Sequence, residues 1–218
     1  RDLHSFPTRR SSDLAGGRSQ PGIVPRAGGR ILDGVKISLT YGVAMAVAGG
    51  VLTLLLYLTG LHDSVEKLTI AQWTGTIGGI AIGVTCLALA MREKRAQHPA
   101  DSDWGYGSAL GGGVLTALWG SLLGMVTAYV YFGLINPGFS EIVYQGQAAG
   151  MQAKGVSAAQ IERMEPMLRK WMSPVVMTLM QGVMGFIWSF LLALIVAIFF
   201  RRRPEASFLP PSDPPALS

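Results

Sequence analysis

Hydrophobic residues fall in four long uncharged stretches that are separated by shorter polar segments. A helix that crosses the hydrocarbon core of a membrane needs about 20 predominantly apolar residues. Each stretch meets that length, so the pattern predicts four spans at about 37–61, 73–91, 110–134 and 175–200. We therefore predict an all-α fold, an integral membrane four-helix bundle whose membrane domain covers residues 35–203.

The segment between the third and fourth spans, residues 138–172, is predicted to form a helical loop outside the membrane. A short helix is expected at 139–152, Gly155 interrupts the chain after it, and Ser157 with Gln160 fits a capping box that begins a second helix. In that second helix the apolar residues recur at helical spacing and form one face, which consists of Ile161, Met164, Leu168, Trp171 and Met172. Two interpretations stay open: a helix that lies flat on the membrane surface, or a lid or partner-docking element over the bundle.

Basic residues indicate the orientation of the spans. Lys and Arg are concentrated before the first span, between the second and third, and after the fourth: Arg26, Arg30, Lys36, Arg92, Lys94, Arg95, Arg201, Arg202 and Arg203. The loop between the first two spans has only Lys67, balanced by Asp63 and Glu66. The positive-inside rule then predicts that both termini are cytoplasmic and that the 138–172 loop is extracytoplasmic.

Small and polar residues inside the spans indicate where helices could meet. Five glycines recur at four-residue spacing in the second and third spans: Gly75, Gly79, Gly83, Gly120 and Gly124. Glycines at this spacing let helices approach closely in lipid, either within the bundle or between copies in a homo-oligomer. Gln181 is the most costly polar side chain in the fourth span, so we expect it to face another helix and to form an interhelical hydrogen bond there.

Ionisable side chains are absent from the four predicted span cores. Such groups usually mark proton relays and ion pathways, so a proton-coupled pump is disfavoured. His62 and His98 lie in loops on opposite sides of the membrane, and the one cysteine, Cys86, lies deep in the second span as a packing residue. The sequence therefore predicts no catalytic residues, no metal ligands, no cofactor and no enzymatic activity.

Composition agrees with membrane insertion, since 50% of the 218 residues are apolar and only 14% are charged. The net charge of +5 is explained by the basic flanks, which meet lipid, so the bilayer is the expected partner and nucleic acid is not. Residues 6–14 (FPTRRSSDL) resemble a common sequencing adaptor translated in frame. We interpret residues 1–34 as an artefactual or disordered segment. The Pro-rich tail at 204–218 is interpreted as disordered.

A larger pattern resembles a known family. It combines Trp73 at the start of a Gly-rich second span, the segment Tyr106 to Leu110 (YGSAL), the segment Tyr131 to Pro137 (YFGLINP), and Met172-Ser173-Pro174 before the last span. This resembles the bacterial family called domain of unknown function 4199, from about residue 36 to residue 203. The resemblance implies a four-span protein of the bacterial inner membrane, and it brings no activity, cofactor or catalytic residue.

Two functional hypotheses remain open. The first is a non-enzymatic membrane scaffold or accessory subunit that binds a membrane protein partner, and it predicts a close-packed, dry bundle. The second is a small oligomeric channel or uniporter without intramembrane charges, and it predicts that Thr, Tyr and Gln181 side chains line one continuous wet path. An intramembrane enzyme comes third, because no pair of ionisable groups is available for acid–base chemistry.

Overall fold

The computed structural model describes residues 27–98 and 104–200 of the chain, and these residues are almost entirely helical. The elements in chain order are α1 (Ala27–Leu58), α2 (Val65–Ala96), α3 (Tyr106–Val130) with a π-helical turn (Tyr131–Ile135), α4 (Phe139–Ala153), α5 (Ala158–Trp171) and α6 (Pro174–Phe200). No strand occurs in the part of the chain that is described, which confirms the all-α prediction.

Four helices are long and apolar enough to cross a membrane. They are Leu32–Leu58 within α1, Val65–Ala96, Tyr106–Ile135 and Pro174–Phe200. The chain is therefore built as a four-span membrane protein, as the hydrophobic pattern predicted. The adaptor-like segment at 6–14, the rest of residues 1–26 and the 204–218 tail lie outside the described residues.

The helices extend beyond the predicted spans. Residues 27–34, which we had assigned to the N-terminal artefactual or disordered segment, belong to α1. Helix α2 begins eight residues before Trp73 and continues five residues past Met91. The physical reason is that charged residues end the apolar stretch without ending the helix, because their backbone groups still form helical hydrogen bonds in the headgroup region or in water.

The four spans form a bundle in which α3 contacts each of the other three. Helix α2 also packs against α1 and α6, so α1 and α6 occupy the far corners. The backbones of α1 and α3 approach each other closely at Gly42. A Cβ atom placed on Gly42 would lie 2.6 Å from Trp119 Cβ and 3.0 Å from the backbone nitrogen of Gly120. Only glycine allows this approach without displacing a helix.

Buried side chains form two separate clusters, one at each end of the bundle. The first cluster is rich in small residues and consists of Leu87, Met91, Trp104, Ala109, Ala117, Ala193, Val196 and Ala197. We call this end the basic end, because Lys94 lies beside it. The second cluster is aromatic, with Ala128, Tyr131 and Phe132 at its centre and Tyr57, Phe139 and Met177 around it. We call this the hairpin end, because it carries α4 and α5.

The hairpin consists of α4 and α5, which are joined by a short turn at Gly155. Gly155 has a φ of +84°, a conformation that favours glycine, so the predicted interruption of the helix is confirmed. The predicted capping box is also confirmed: Gln160 N donates to Ser157 Oγ at 3.4 Å, and Ser157 N donates to Gln160 Oε1 at 3.2 Å. Helix α4 rests on the start of α2, where Gly146 meets Leu68 and Val65.

Candidate functional site

The basic end contains a buried lysine inside the bundle. Lys94 is only 8% exposed, and Ser38 and Thr116 beside it are fully buried. Lys94 Nζ donates to Ser38 Oγ at 2.5 Å. Thr116 Oγ1 donates its one hydrogen to the Gly112 carbonyl at 3.0 Å and lies 3.2 Å from Ser38 Oγ, from which it can accept. Three helices thus meet at one polar cluster, which we call the lysine cluster: Ser38, Lys94, Gly112 and Thr116.

The position of Lys94 corrects the sequence interpretation, which left it in a basic loop. It lies in helix α2, three residues beyond the predicted second span, and that predicted span itself has no ionisable side chain. Side chains on a helix tilt toward its N-terminus. Because α2 ends at the basic end, the Lys94 side chain points back into the bundle instead of extending outward. Gly112 makes room for it, since a Cβ there would lie 3.0 Å from Lys94 Cδ. An ionisable group in this position is the feature that usually marks a functional site in a membrane protein.

A signal for this placement was present in the sequence. Leu87, Ala90, Met91 and Lys94 are spaced as one helical stripe, and all four are buried. Extending the stripe beyond the last apolar residue would have placed Lys94 on the packed face of α2. The charge of the residue suggested a loop, but the periodicity of the helix continued through it.

The hairpin end contains a second buried polar group, His62, which is 7% exposed. Asn136 Nδ2 donates to Tyr131 Oη at 3.1 Å, and the His62 Nδ1 to Tyr131 Oη distance is 2.5 Å. Because the tyrosine oxygen accepts from Asn136, its own hydrogen is available for donation to an unprotonated His62 Nδ1. We call these three residues the histidine cluster. It connects the α1–α2 loop to the π-helical turn after α3.

The surroundings of His62 favour its neutral form. Its ring lies 5.6 Å from the Tyr131 ring and 4.8 Å from the Phe139 ring. Burial lowers the pKa of His62 below its ordinary value of 6.5, and the neighbouring Asp63 carboxylate partly opposes that change. A neutral imidazole can accept the Tyr131 hydrogen, so the charge state and the hydrogen bonds agree. No sequence pattern singled out His62, because it lies in a loop.

The hairpin is held together by a network around Arg169. Its guanidinium lies 2.6 Å from Glu141 Oε2 on α4 and 2.7 Å from Glu165 Oε1 on α5, and it stacks 4.5 Å from the centre of the Tyr144 ring. The hydrogen bond from Arg169 and a second from Gln145 lower the pKa of Glu141, while the two carboxylates raise the pKa of Arg169. Only the Glu141 pair joins the two helices, because Glu165 lies on the same helix as Arg169, and exposed pairs of this kind contribute little to stability.

A groove of about 390 Å³ runs between α4 and α5 on the hairpin. Its walls include Tyr144, Ala148 and Ala149 from α4 and Ile161 and Glu162 from α5. The groove is shallow and open to the surface, so it offers a contact surface for another molecule and does not enclose a ligand. The groove lies away from both buried polar clusters, at the surface of the molecule.

The predicted apolar face of α5 is divided among different surroundings. Met172 is buried, and Ile161 and Leu168 are half-buried. Met164 and Trp171 are exposed, and Trp171 keeps 53% of its surface accessible. The structure thus turns part of this face toward α4 and the bundle and leaves part of it facing outward. Whether the outward part meets lipid or a protein stays a prediction.

The five predicted packing glycines do not share one environment. A Cβ on Gly75 would contact Leu56 at 3.6 Å, one on Gly83 would meet Leu192 at 3.2 Å, and one on Gly120 would meet Met45 Sδ at 2.8 Å. A Cβ on Gly79 or Gly124 would have no neighbour within 4 Å. Sequence reasoning missed Gly42, although Gly42, Ala46 and Gly50 show the same four-residue spacing.

Gln181 lies on the outward side of α6, where its side chain is exposed. We had expected it to face another helix, and within one copy of the chain it faces away from α2 and α3. The reason is its angular position around the helix. The buried residues Thr178, Gly182 and Ala193 mark the side of α6 that packs against the bundle, and Gln181 does not lie on that side. The described residues contain no group of three or more His, Cys, Asp or Glu that could hold a metal.

The family comparison covers most of the chain. Residues 40–202 match a family described as a protein of unknown function, DUF4199. The chain belongs to this family. A search of curated proteins gave no match, and a search of solved structures gave no match either. The match confirms the resemblance inferred from the sequence, and one of the segments that carried it, Tyr131 to Pro137, supplies Tyr131 and Asn136 of the histidine cluster.

Proposed function

We propose that this chain is a non-enzymatic membrane scaffold or accessory subunit of the bacterial inner membrane. Its termini would be cytoplasmic, and the α4–α5 hairpin would lie outside the cytoplasm and bind a protein partner. The observation that carries the proposal is the groove between α4 and α5, which is open to the surface on a hairpin braced by Arg169. A braced groove is preorganised, so less conformational entropy is lost when a partner binds.

The interior of the bundle supports a packing role more than a conducting one. A Cβ atom placed on Gly78 would lie 2.6 Å from Leu52 Cδ2, and one on Gly120 or Gly42 would collide with Met45 or Trp119, so side chains of neighbouring helices fill the space at these glycines. Thr53 and Thr76 donate to carbonyls of their own helices, at 3.0 and 2.8 Å. These hydroxyls are thereby satisfied locally and have no need of a water-filled path.

The oligomeric channel is supported by a different observation, the lysine cluster. Lys94, Ser38 and Thr116 bring polar groups together inside the bundle at the basic end. However, Gln181 points outward and His62 belongs to a separate cluster at the other end. A channel would therefore need a path formed between copies, and flux of ions across proteoliposomes would be its direct signature.

Two tryptophan substitutions, each made at an alanine of the hairpin, test whether the groove binds a partner. Ala148→Trp fills the groove, whereas Ala159→Trp adds the same side chain at an exposed position of α5 outside the groove lining. We expect a partner to co-purify at near-equal amounts with the wild-type chain and with Ala159→Trp, and at least tenfold less with Ala148→Trp. Mass spectrometry after mild extraction measures this ratio. Equal recovery with both variants, or no partner together with ion flux in proteoliposomes, would overturn the proposal.

A further inference from the structure

Gln181 is a strongly polar side chain in the membrane-spanning part of α6. It follows Pro174, the first residue of the helix, by seven positions, so it lies about 10 Å along the helix at a rise of about 1.5 Å per residue. The midpoint of Pro174–Phe200 is residue 187, about 9 Å further along. Because the hydrocarbon core extends about 15 Å on each side of its midplane, Gln181 lies inside it.

An outward carboxamide at this depth has no solvent partner. Lipid chains offer no hydrogen bonds, and a buried amide without a partner carries a free-energy cost of a few kcal/mol, roughly 2–7 depending on the reference state. The side chain of glutamine is also too short to reach the headgroups across several ångströms, as lysine or arginine can. Gln72 on α2 differs, because the charged residues Glu66 and Lys67 of the same helix lie only six and five positions before it, whereas α6 contains no charged residue. The position of Gln181 therefore calls for a polar partner within the membrane.

The surface around Gln181 has the spacing of a helix-pairing seam. Six residues of α6 recur at alternating intervals of three and four, and all of them are exposed: Gln181, Met184, Trp188, Leu191, Ile195 and Ile198. Such a heptad row keeps two helices in contact when they cross at about 20°, the common geometry of membrane bundles. The exposed row Val43, Val47, Leu54 and Leu58 of α1 is wholly apolar, as expected for a surface that meets lipid only.

We propose that two copies of this chain pair through the exposed seam of α6, with their Gln181 carboxamides hydrogen-bonded to each other. Copies inserted in the same orientation place Gln181 at the same depth, so a twofold axis along the membrane normal brings the two amides together. A carboxamide carries both a donor and an acceptor, so two such groups can form reciprocal N–H···O bonds. This self-complementarity selects a second copy as the occupant of the seam. The proposal is independent of what the hairpin binds.

The strength of the pairing tests the role of the amide. Chains that each carry one fluorescent dye, either a donor or an acceptor, are mixed in lipid vesicles. Energy transfer between the dyes then reports dimerisation as the protein-to-lipid ratio changes. We expect Gln181→Leu to raise the dissociation constant about 5- to 30-fold, since interhelical hydrogen bonds in model membrane peptides have about that strength. Gln181→Asn should retain most of the affinity, and Gln72→Leu should not change it. A monomeric wild-type chain, or a Gln181→Leu variant that dimerises as well as wild type, would overturn the proposal.

A cysteine scan tests the geometry of the seam. With Cys86 replaced by Ser, single cysteines are introduced at Met184, Leu191 and Val183, which are all exposed. Oxidation should link two copies through positions 184 and 191, on the seam, and at least tenfold less through 183, on another face of α6. Equal cross-linking at all three positions, or cross-linking of position 184 to a different protein in native membranes, would refute a symmetric α6 pair.

Discussion

The two ends of the bundle bury polar groups in different ways. At the basic end, Lys94 packs its aliphatic chain over Gly112 and donates to the hydroxyl of Ser38. At the hairpin end, His62 is enclosed by aromatic rings and accepts from Tyr131, which Asn136 orients. The first end joins three spans through small residues, and the second joins a loop, a π-helical turn and α4 through large rings.

This difference indicates what each end contributes. Small residues bring helices close together, so the basic end depends on the fit of backbones, and a long side chain such as that of Lys94 fills the gap that remains. Aromatic rings bury much more area per residue, and they hold segments that are not packed as parallel helices. The hairpin end therefore orients the α4–α5 hairpin relative to the spans, and the basic end holds the spans themselves.

The largest effect is expected from truncating the centre of the aromatic cluster. Tyr131→Ala should lower the free energy of unfolding by about 3–5 kcal/mol, because a buried ring is removed and the cavity cannot close fully. Tyr129→Ala is the matched control, since Tyr129 is 50% exposed two residues earlier on the same helix. Titration with a denaturing detergent in mixed micelles measures both. Equal losses for the two variants would mean that the aromatic cluster does not stabilise the hairpin end.

A pair of substitutions separates packing from hydrogen bonding at the basic end. Lys94→Ala should cost about 2 kcal/mol, because it removes the chain that lies over Gly112 and the donor to Ser38. Lys94→Met keeps the chain and removes the amine, so it should cost less than about 1 kcal/mol or stabilise the protein, as apolar replacement of a buried charged group often does. The same titration measures the pair. If Lys94→Met is as costly as Lys94→Ala, the amine itself carries a role that packing does not explain.

The smallest effect is a dependence of stability on pH at the hairpin end. Burial lowers the pKa of His62 in the folded protein below 6.5, so the unfolded chain binds the proton more readily. The stabilisation from neutral His62 is therefore complete above pH 6.5 and is lost as the pH falls through the lowered pKa. His62→Gln should reduce this dependence, and His98→Gln at the basic end should retain it. An unchanged pH profile in His62→Gln would show that other groups cause the dependence.

Some features of the fold were predictable because they depend on composition along the chain. The four spans follow from apolar length, and the α4–α5 hairpin follows from Gly155, the Ser157–Gln160 capping box and helical spacing. The limits of the helices were predicted less well, because a helix does not end where its apolar residues end. The family resemblance identified the Tyr131–Pro137 segment without revealing what that segment does.

The sequence by itself determined that this is an all-α, four-span membrane protein with a helical hairpin between its last two spans. It could do so because each segment that crosses the lipid must be long enough and apolar enough on its own, whatever its neighbours are. Only the tertiary structure decided that Lys94 lies among Ser38, Gly112 and Thr116, that His62 reaches Tyr131, and that Gln181 faces outward. Those placements depend on how each helix is rotated about its own axis, and packing against neighbouring helices sets that rotation.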